Sequence, residues 1–124
     1  MKFLLDSNTI IDLLIGTKLA LFARITACEA GDLAVSTISF GEVAHGSARG
    51  KPPPISVLET FLRQVTLVDF DRDSALRYAA LPFKRGSFDR LIGAHALDLG
   101  LTLVTDNVTD FADIPGLRVE NWTL

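Results

Sequence analysis

A chain of 124 residues with net charge −3 and a single cysteine is one domain, large enough for an apolar core without disulfides. No apolar run approaches the roughly 18 residues needed to span a bilayer, and Met1-Lys2-Phe3-Leu4-Leu5-Asp6 lacks the long apolar stretch of a secretory leader. Acidic residues outnumber basic ones 15 to 12 and there is no Lys/Arg tail, so any nucleic-acid contact runs through a local basic patch. The lone Cys28 reads as a structural thiol and fits a reducing, cytoplasmic setting.

Residues 2–5 read as a first buried strand, stopped by the cap and turn chemistry of Asp6-Ser7-Asn8-Thr9. Ile10, Ile11, Leu13 and Leu14 follow at helical spacing, and Gly16-Thr17 breaks that helix. A second helix is predicted over 18–30, with Leu19, Phe22, Ala23 and Ala27 on its apolar face and Gly31 as terminator. Residues 33–36 form a second strand. Ser39 is expected to cap a helix over 40–48, which puts Glu42 at a capping-box position. Arg49-Gly50-Lys51-Pro52-Pro53-Pro54 is a stiff basic linker, too short to separate domains. A helix over 56–64 carries Val57, Leu58, Phe61 and Leu62, and 65–70 is a third strand. Asp71 caps a helix that Pro82 stops after Leu81.

The stretch 87–107 organises the rest. Ser87 is a good N-cap, and Asp89 in the first turn suits the helix dipole. Leu91, Ile92, Ala94, His95, Ala96, Leu97 and Leu99 make the helix apolar over most of its girth. Gly100 is the expected C′ residue, and 101–105 reads as a buried strand ending at Asp106-Asn107. Thr109-Asp110-Phe111 and Pro115-Gly116 read as turns, and 117–122 is a last strand. Strands alternating with helices, without repeats or low-complexity segments, predict an α/β sandwich around a mostly parallel sheet, with residues 1–124 as a single domain.

In such a sheet Asp6, Glu42 and Asp106 share the carboxyl edge, with Asp89 heading the helix that feeds the fourth strand. Two carboxylates about 5 Å apart repel by roughly 3 kcal/mol at an effective dielectric near 20. A cluster of them therefore takes up protons or holds a cation. Oxygen-only ligands suit Mg²⁺ or Mn²⁺, the makeup of a metal-assisted phosphodiesterase. Spacing alone leaves plain alternatives open: capping for Asp6 and Glu42, the helix dipole for Asp89, and a solvated turn for Asp106, Asp110 and Asp113.

L-L-D-S-N-T-I-I-D-L-L resembles the opening motif of PIN-domain ribonucleases. S-T-I-S-F-G-E-V-A-H-G resembles the second motif of their VapC toxin branch. F-D-R-L-I-G-A-H-A-L resembles the third, and L-T-L-V-T-D-N-V-T-D-F followed by P-G-L-R-V-E-N-W resembles the fourth motif and C-terminal strand. The resemblance spans nearly the whole chain and implies a three-layer sandwich with about five short strands. It implies a Mg²⁺- or Mn²⁺-dependent endoribonuclease toxin that cuts structured RNA such as tRNA and leaves a 5′-phosphate. It further implies a cytoplasmic homodimer inhibited by a VapB-type antitoxin. Asp6, Glu42 and Asp89 match the family's three principal acids. The family's fourth position aligns most naturally with Asn107; the adjacent Asp106 is taken as the carboxylate that reaches the site, with Asn107 and Asp110 as alternatives. The segment before Asp89 is shorter than in many relatives, and Gly93 stands where the family usually has Ala.

Ser7 and Thr105 adjoin the acids, and their hydroxyls are candidates for orienting carboxylates or metal waters. Arg85 and Arg90, with Arg49, Lys51 and Lys84, are the candidate RNA phosphate contacts. His45 and His95 read as a rim residue and a hydrogen-bonded core residue. The aromatic residues fall mostly at core spacing, which offers no platform for base stacking. Two other readings compete: a catalytically silent PIN-fold binding module and a receiver-like signalling domain.

Overall fold

The computed structural model describes residues 1–82 and 87–124. Among these residues five short strands form one sheet: β1 (Phe3–Leu5), β2 (Leu33–Ser36), β3 (Thr66–Val68), β4 (Thr102–Val104) and β5 (Val119–Glu120). Its order is β3-β2-β1-β4-β5, and every pairing is parallel. The helices are α1 (Ser7–Ile15), α2 (Leu19–Thr26), α3 (Thr37–Ala48), α4 (Ile55–Leu62), α5 (Arg72–Ala79), α6 (Asp89–Leu99) and α7 (Val108–Phe111).

Period-two alternation along the central strands builds two cores from one sheet. Leu5, Val35 and Val104 point to one face, where Ile10, Leu21, Val43, Leu58, Phe61 and Trp122 meet them. Leu4, Ala34 and Leu103 point to the other, against Ile92, Ala96, Phe111 and Ile114. A parallel sheet buried on both faces needs a helical layer on each side, which is the three-layer sandwich. The chain runs outward through β1, β2 and β3, then returns to pair β4 with the free side of β1. The strand order therefore reverses between β1 and β4, the place where open α/β sheets bind ligands. A receiver domain has the order 2-1-3-4-5, so the topology rules out that alternative.

Several local expectations are corrected. The cap of α3 is Ser36, whose hydroxyl accepts from the Ile38 N–H at 3.1 Å, and Ser39 is buried within the helix. Glu42 therefore does not close a capping box with Ser39. α2 ends at Thr26, four residues early, and buries Leu21 while Leu19 and Phe22 lie exposed. Residues 109–111 are helical rather than a turn. The outer strands β3 and β5 are shorter than predicted, as edge positions allow. Asp71 caps α5 by accepting from the Ser74 N–H at 3.0 Å, and Gly100 ends α6 at φ 68°, both as read from the sequence. Gly93 lets α6 close on the segment after α7, since a Cβ there would meet Ile114 Cδ1 at 2.6 Å. That contact faces the second core rather than the acids. Among the described residues no helix is long and apolar enough to cross a membrane.

Candidate active site

Asp6 ends β1 at the point where the strand order reverses. Its backbone N–H donates to Val104 O at 3.0 Å, and Thr9 Oγ1 donates to the same carbonyl at 3.0 Å. The first turn of α1 is thereby tied to the end of β4. Asp6 as a whole is 4% exposed. Oδ1 accepts from the Ser7 N–H at 2.8 Å and Oδ2 from the Thr105 hydroxyl at 2.8 Å. Thr105 Oγ1 in turn accepts from the Asn107 N–H at 3.0 Å, which leaves its own proton directed at Asp6.

Ser7 joins two acids. Its N–H serves Asp6, and its hydroxyl donates to Glu42 Oε1 at 2.7 Å, across 35 residues of sequence. Asp89 opens α6, its N–H capped by the Ser87 hydroxyl at 3.0 Å. Ser87 thus caps α6 from one residue outside the N-cap position, which Phe88 occupies.

Electrostatics tie the three together. Burial pushes the Asp6 carboxyl up to about 6 despite the hydrogen bonds from Thr105 and Ser7, and the charges of Asp89 and Glu42 add to the rise. Glu42 is raised as well, first by burial and then by Asp89, against the hydrogen bond from Ser7. Asp6, Glu42 and Asp89 therefore act on one another across the same crevice. Among the described residues no three Asp, Glu, His or Cys side chains stand close enough to grip a bare ion between them. The donors are all carboxylate oxygens, and their mutual repulsion is what a cation relieves. That set suits Mg²⁺ or Mn²⁺ retaining part of its water, rather than a dehydrated ion in a protein cage.

The other candidates divide. Asp106 turns toward Lys18 Nζ at 3.7 Å, and Lys18 also pairs with Asp12 at 3.0 Å. Asn107 Nδ2 donates to Asp110 Oδ2 at 2.6 Å, so these two fourth-position alternatives form one unit linked to Asp6 through Thr105. Arg90 is a correction. It is 3% exposed, its Nη2 bound to Asp113 Oδ2, with Nε and Nη1 finding no acceptor among the described residues. A guanidinium held inside the fold does not meet RNA phosphates. Arg49 and Lys51 are exposed beyond the end of α3, and Arg85 and Lys84 lie outside the described residues. His95 is buried, with Nδ1 2.8 Å from Ser36 Oγ, and burial holds its imidazole low and neutral against the pull of Asp71 and Asp98.

Two features escaped the sequence reading. Lys18 stands beside Asp106, and nothing in the local pattern marked it. Phe88, next to Asp89, is 56% exposed rather than buried. It lines a cavity of about 440 Å³ together with Thr37, Ile38, Gly41, Glu42 and His45.

The PIN domain family matches residues 3–117. Ribonuclease VapC2 of Haemophilus influenzae is 30% identical over 131 aligned residues, covering 98% of each chain. The tRNA(fMet)-specific endonuclease VapC of Salmonella typhimurium is 28% identical, again over 98% of each chain. Among solved structures, VapBC2 from Rickettsia felis bound to a promoter DNA fragment superposes with TM-score 0.84 at 27% identity, covering 98% of this chain and 99% of that one. DNA-bound VapBC from Salmonella typhimurium superposes with TM-score 0.83 at 27% identity, covering 98% of each.

Proposed function

Because the chain belongs to the PIN-domain family, we propose that it is a VapC-type toxin, an endoribonuclease that hydrolyses RNA phosphodiester bonds and is neutralised by a VapB-type antitoxin. The observation that carries this reading is the joining of Asp6 to Glu42 by Ser7, with Asp89 acting on both. In it Asp6, Glu42 and Asp89 would hold Mg²⁺ or Mn²⁺, which when bound would supply an activated water and offset charge on the scissile phosphate. The protein's own work is positioning. Thr105 and the Ser7 N–H fix both oxygens of Asp6, and the Ser7 hydroxyl fixes Glu42, so the donors keep their places without substrate. At neutral pH Asp6 is ionised in most molecules, since its carboxyl titrates at about 6. Arg49 at the C-cap of α3, about 10 Å from Glu42 at the helical rise of 1.5 Å per residue, and Lys51 just past the helix serve as phosphate contacts beyond the cut.

The name of the Salmonella relative, and the structured substrate it implies, point to tRNA as the target class. A cytoplasmic homodimer belongs to the same proposal, checked by the mass of the purified protein in solution. A silent PIN scaffold is the rival, favoured by one observation: Asp106 is engaged by Lys18. Induction in a bacterial host followed by mapping of RNA ends decides between them. The toxin reading expects growth arrest and discrete 5′-phosphate ends with wild type, and neither with Asp6→Asn. RNA left intact by folded, metal-supplied wild-type protein refutes it.

A further inference from the structure

The cavity between α3 and the start of α6 has no part in holding the ion, apart from sharing Glu42. Its walls, from Thr37, Ile38, Gly41, His45 and Phe88, are mainly hydrocarbon and ring carbon. Phe88 leaves more than half its surface in water one residue from a principal acid, where burying a Phe contributes about 2 kcal/mol. Gly41 leaves the floor open, for a Cβ built there meets nothing within 4 Å among the described residues.

The geometry points to a pocket for one unpaired nucleobase of the RNA, seated against Phe88 beside the bond that is cut. This deepens the ribonuclease reading and rests on it. Continuity is the first argument: Glu42 lines the cavity and is also the acid held by Ser7 at 2.7 Å, so whatever fills the cavity adjoins the acids directly. Charge is the second. The described lining holds no Lys or Arg to draw a phosphate in, so the cavity suits a neutral base while the scissile phosphate goes to the ion that the acids would hold. Chemistry is the third. Single-stranded RNA is read by splaying bases out onto aromatic side chains, and such stacking tolerates several base types.

The test uses Phe88→Leu, which removes the ring and keeps apolar bulk, Phe88→Trp, which keeps a stacking face, and Gly41→Leu, which fills the cavity and improves helix propensity. Thermal melts of all three are expected to match or exceed wild type. Single-turnover cleavage of a mapped substrate should fall roughly ten- to hundredfold in Phe88→Leu and Gly41→Leu and stay near wild type in Phe88→Trp. The loss in Phe88→Leu should vanish when the nucleotide flanking the cut is made abasic, since wild type then has nothing to stack. A loss of equal size on the abasic substrate overturns the proposal. So does unchanged cleavage, including the case where only inhibition by the antitoxin weakens, which gives the pocket to that partner. A binding arm in the Asp6→Asn background follows the fluorescence of 2-aminopurine placed at successive positions of an unstructured RNA. Quenching that Phe88→Leu abolishes supports the pocket even if wild type cleaves nothing. Quenching at no position overturns it even if cleavage is robust.

Discussion

Replacing Asp6 by Asn should stabilise the metal-free protein at neutral pH and lose that advantage in acid. The wild-type carboxyl titrates at about 6 in the folded chain against 3.8 ordinarily, chiefly because it is buried. Its folded value is raised, so the stability it contributes is complete below pH 3.8 and is lost as pH climbs through about 6. The full displacement corresponds to about 3 kcal/mol of penalty on the ionised native state. Asparagine removes that penalty but offers one fewer acceptor to Ser7 and Thr105, at a cost of about 1 kcal/mol. The net gain is about 2 kcal/mol, or about 8 °C in Tm for a domain of this size. The assay is thermal unfolding in EDTA at pH 4 and pH 7.5. The variant should melt above wild type at pH 7.5 and level with it, or slightly below, at pH 4. A gap that does not change with pH, or a variant less stable at pH 7.5, would refute the reasoning, because the carboxylate would then be comfortable where it sits.

Mn²⁺ at about tenfold over its dissociation constant should stabilise wild type by about 1.4 kcal/mol relative to EDTA and leave Asp6→Asn and Asp89→Asn almost unmoved, as melting curves will report. Thr105→Val keeps the volume but strips Asp6 of a donor, so it should cost about 1–3 kcal/mol at pH 7.5 and clearly less at pH 4, measured by denaturant titration. Arg90→Met should be tolerated better than Asp113→Ala by about 2 kcal/mol in the same titration, since the second leaves a buried guanidinium without its carboxylate. Gly93→Ala gains about 1 kcal/mol of helix propensity but drives a methyl into Ile114, for a net loss near 1 kcal/mol that calorimetry can resolve.

Much of the fold is legible because the signals are local. Asp71, Gly100 and the alternation of Leu4 with Leu5 are read by rules that need only neighbours. Ser7 and Thr105 are marked by adjacency to acids, and hydroxyl-to-carboxylate contacts lie where that adjacency suggests. Failures arise where tertiary context chooses among equals. Ser36 and Ser39 are both fit to cap α3, and only the end of β2 selects the first. α2 has apolar residues around its girth, so periodicity cannot say that Leu21 rather than Phe22 faces inward. Arginine is among the residues least expected inside, and the carboxylate paired with Arg90 lies 23 positions away. Exposure of Phe88 is likewise invisible to spacing, because an aromatic in the connection just before a helix reads equally as core.

The hydroxyl that steadies Asp6 comes from a residue 99 positions downstream, near the far end of the chain. A nascent polypeptide on the ribosome carries its first acid long before it owns the partner that holds it in place. Until β4 slides in beside β1, that aspartate is an ordinary solvated side chain. The support of the first acid is thus among the last pieces of the site to be made, and the crevice is complete only once β4 has joined the sheet.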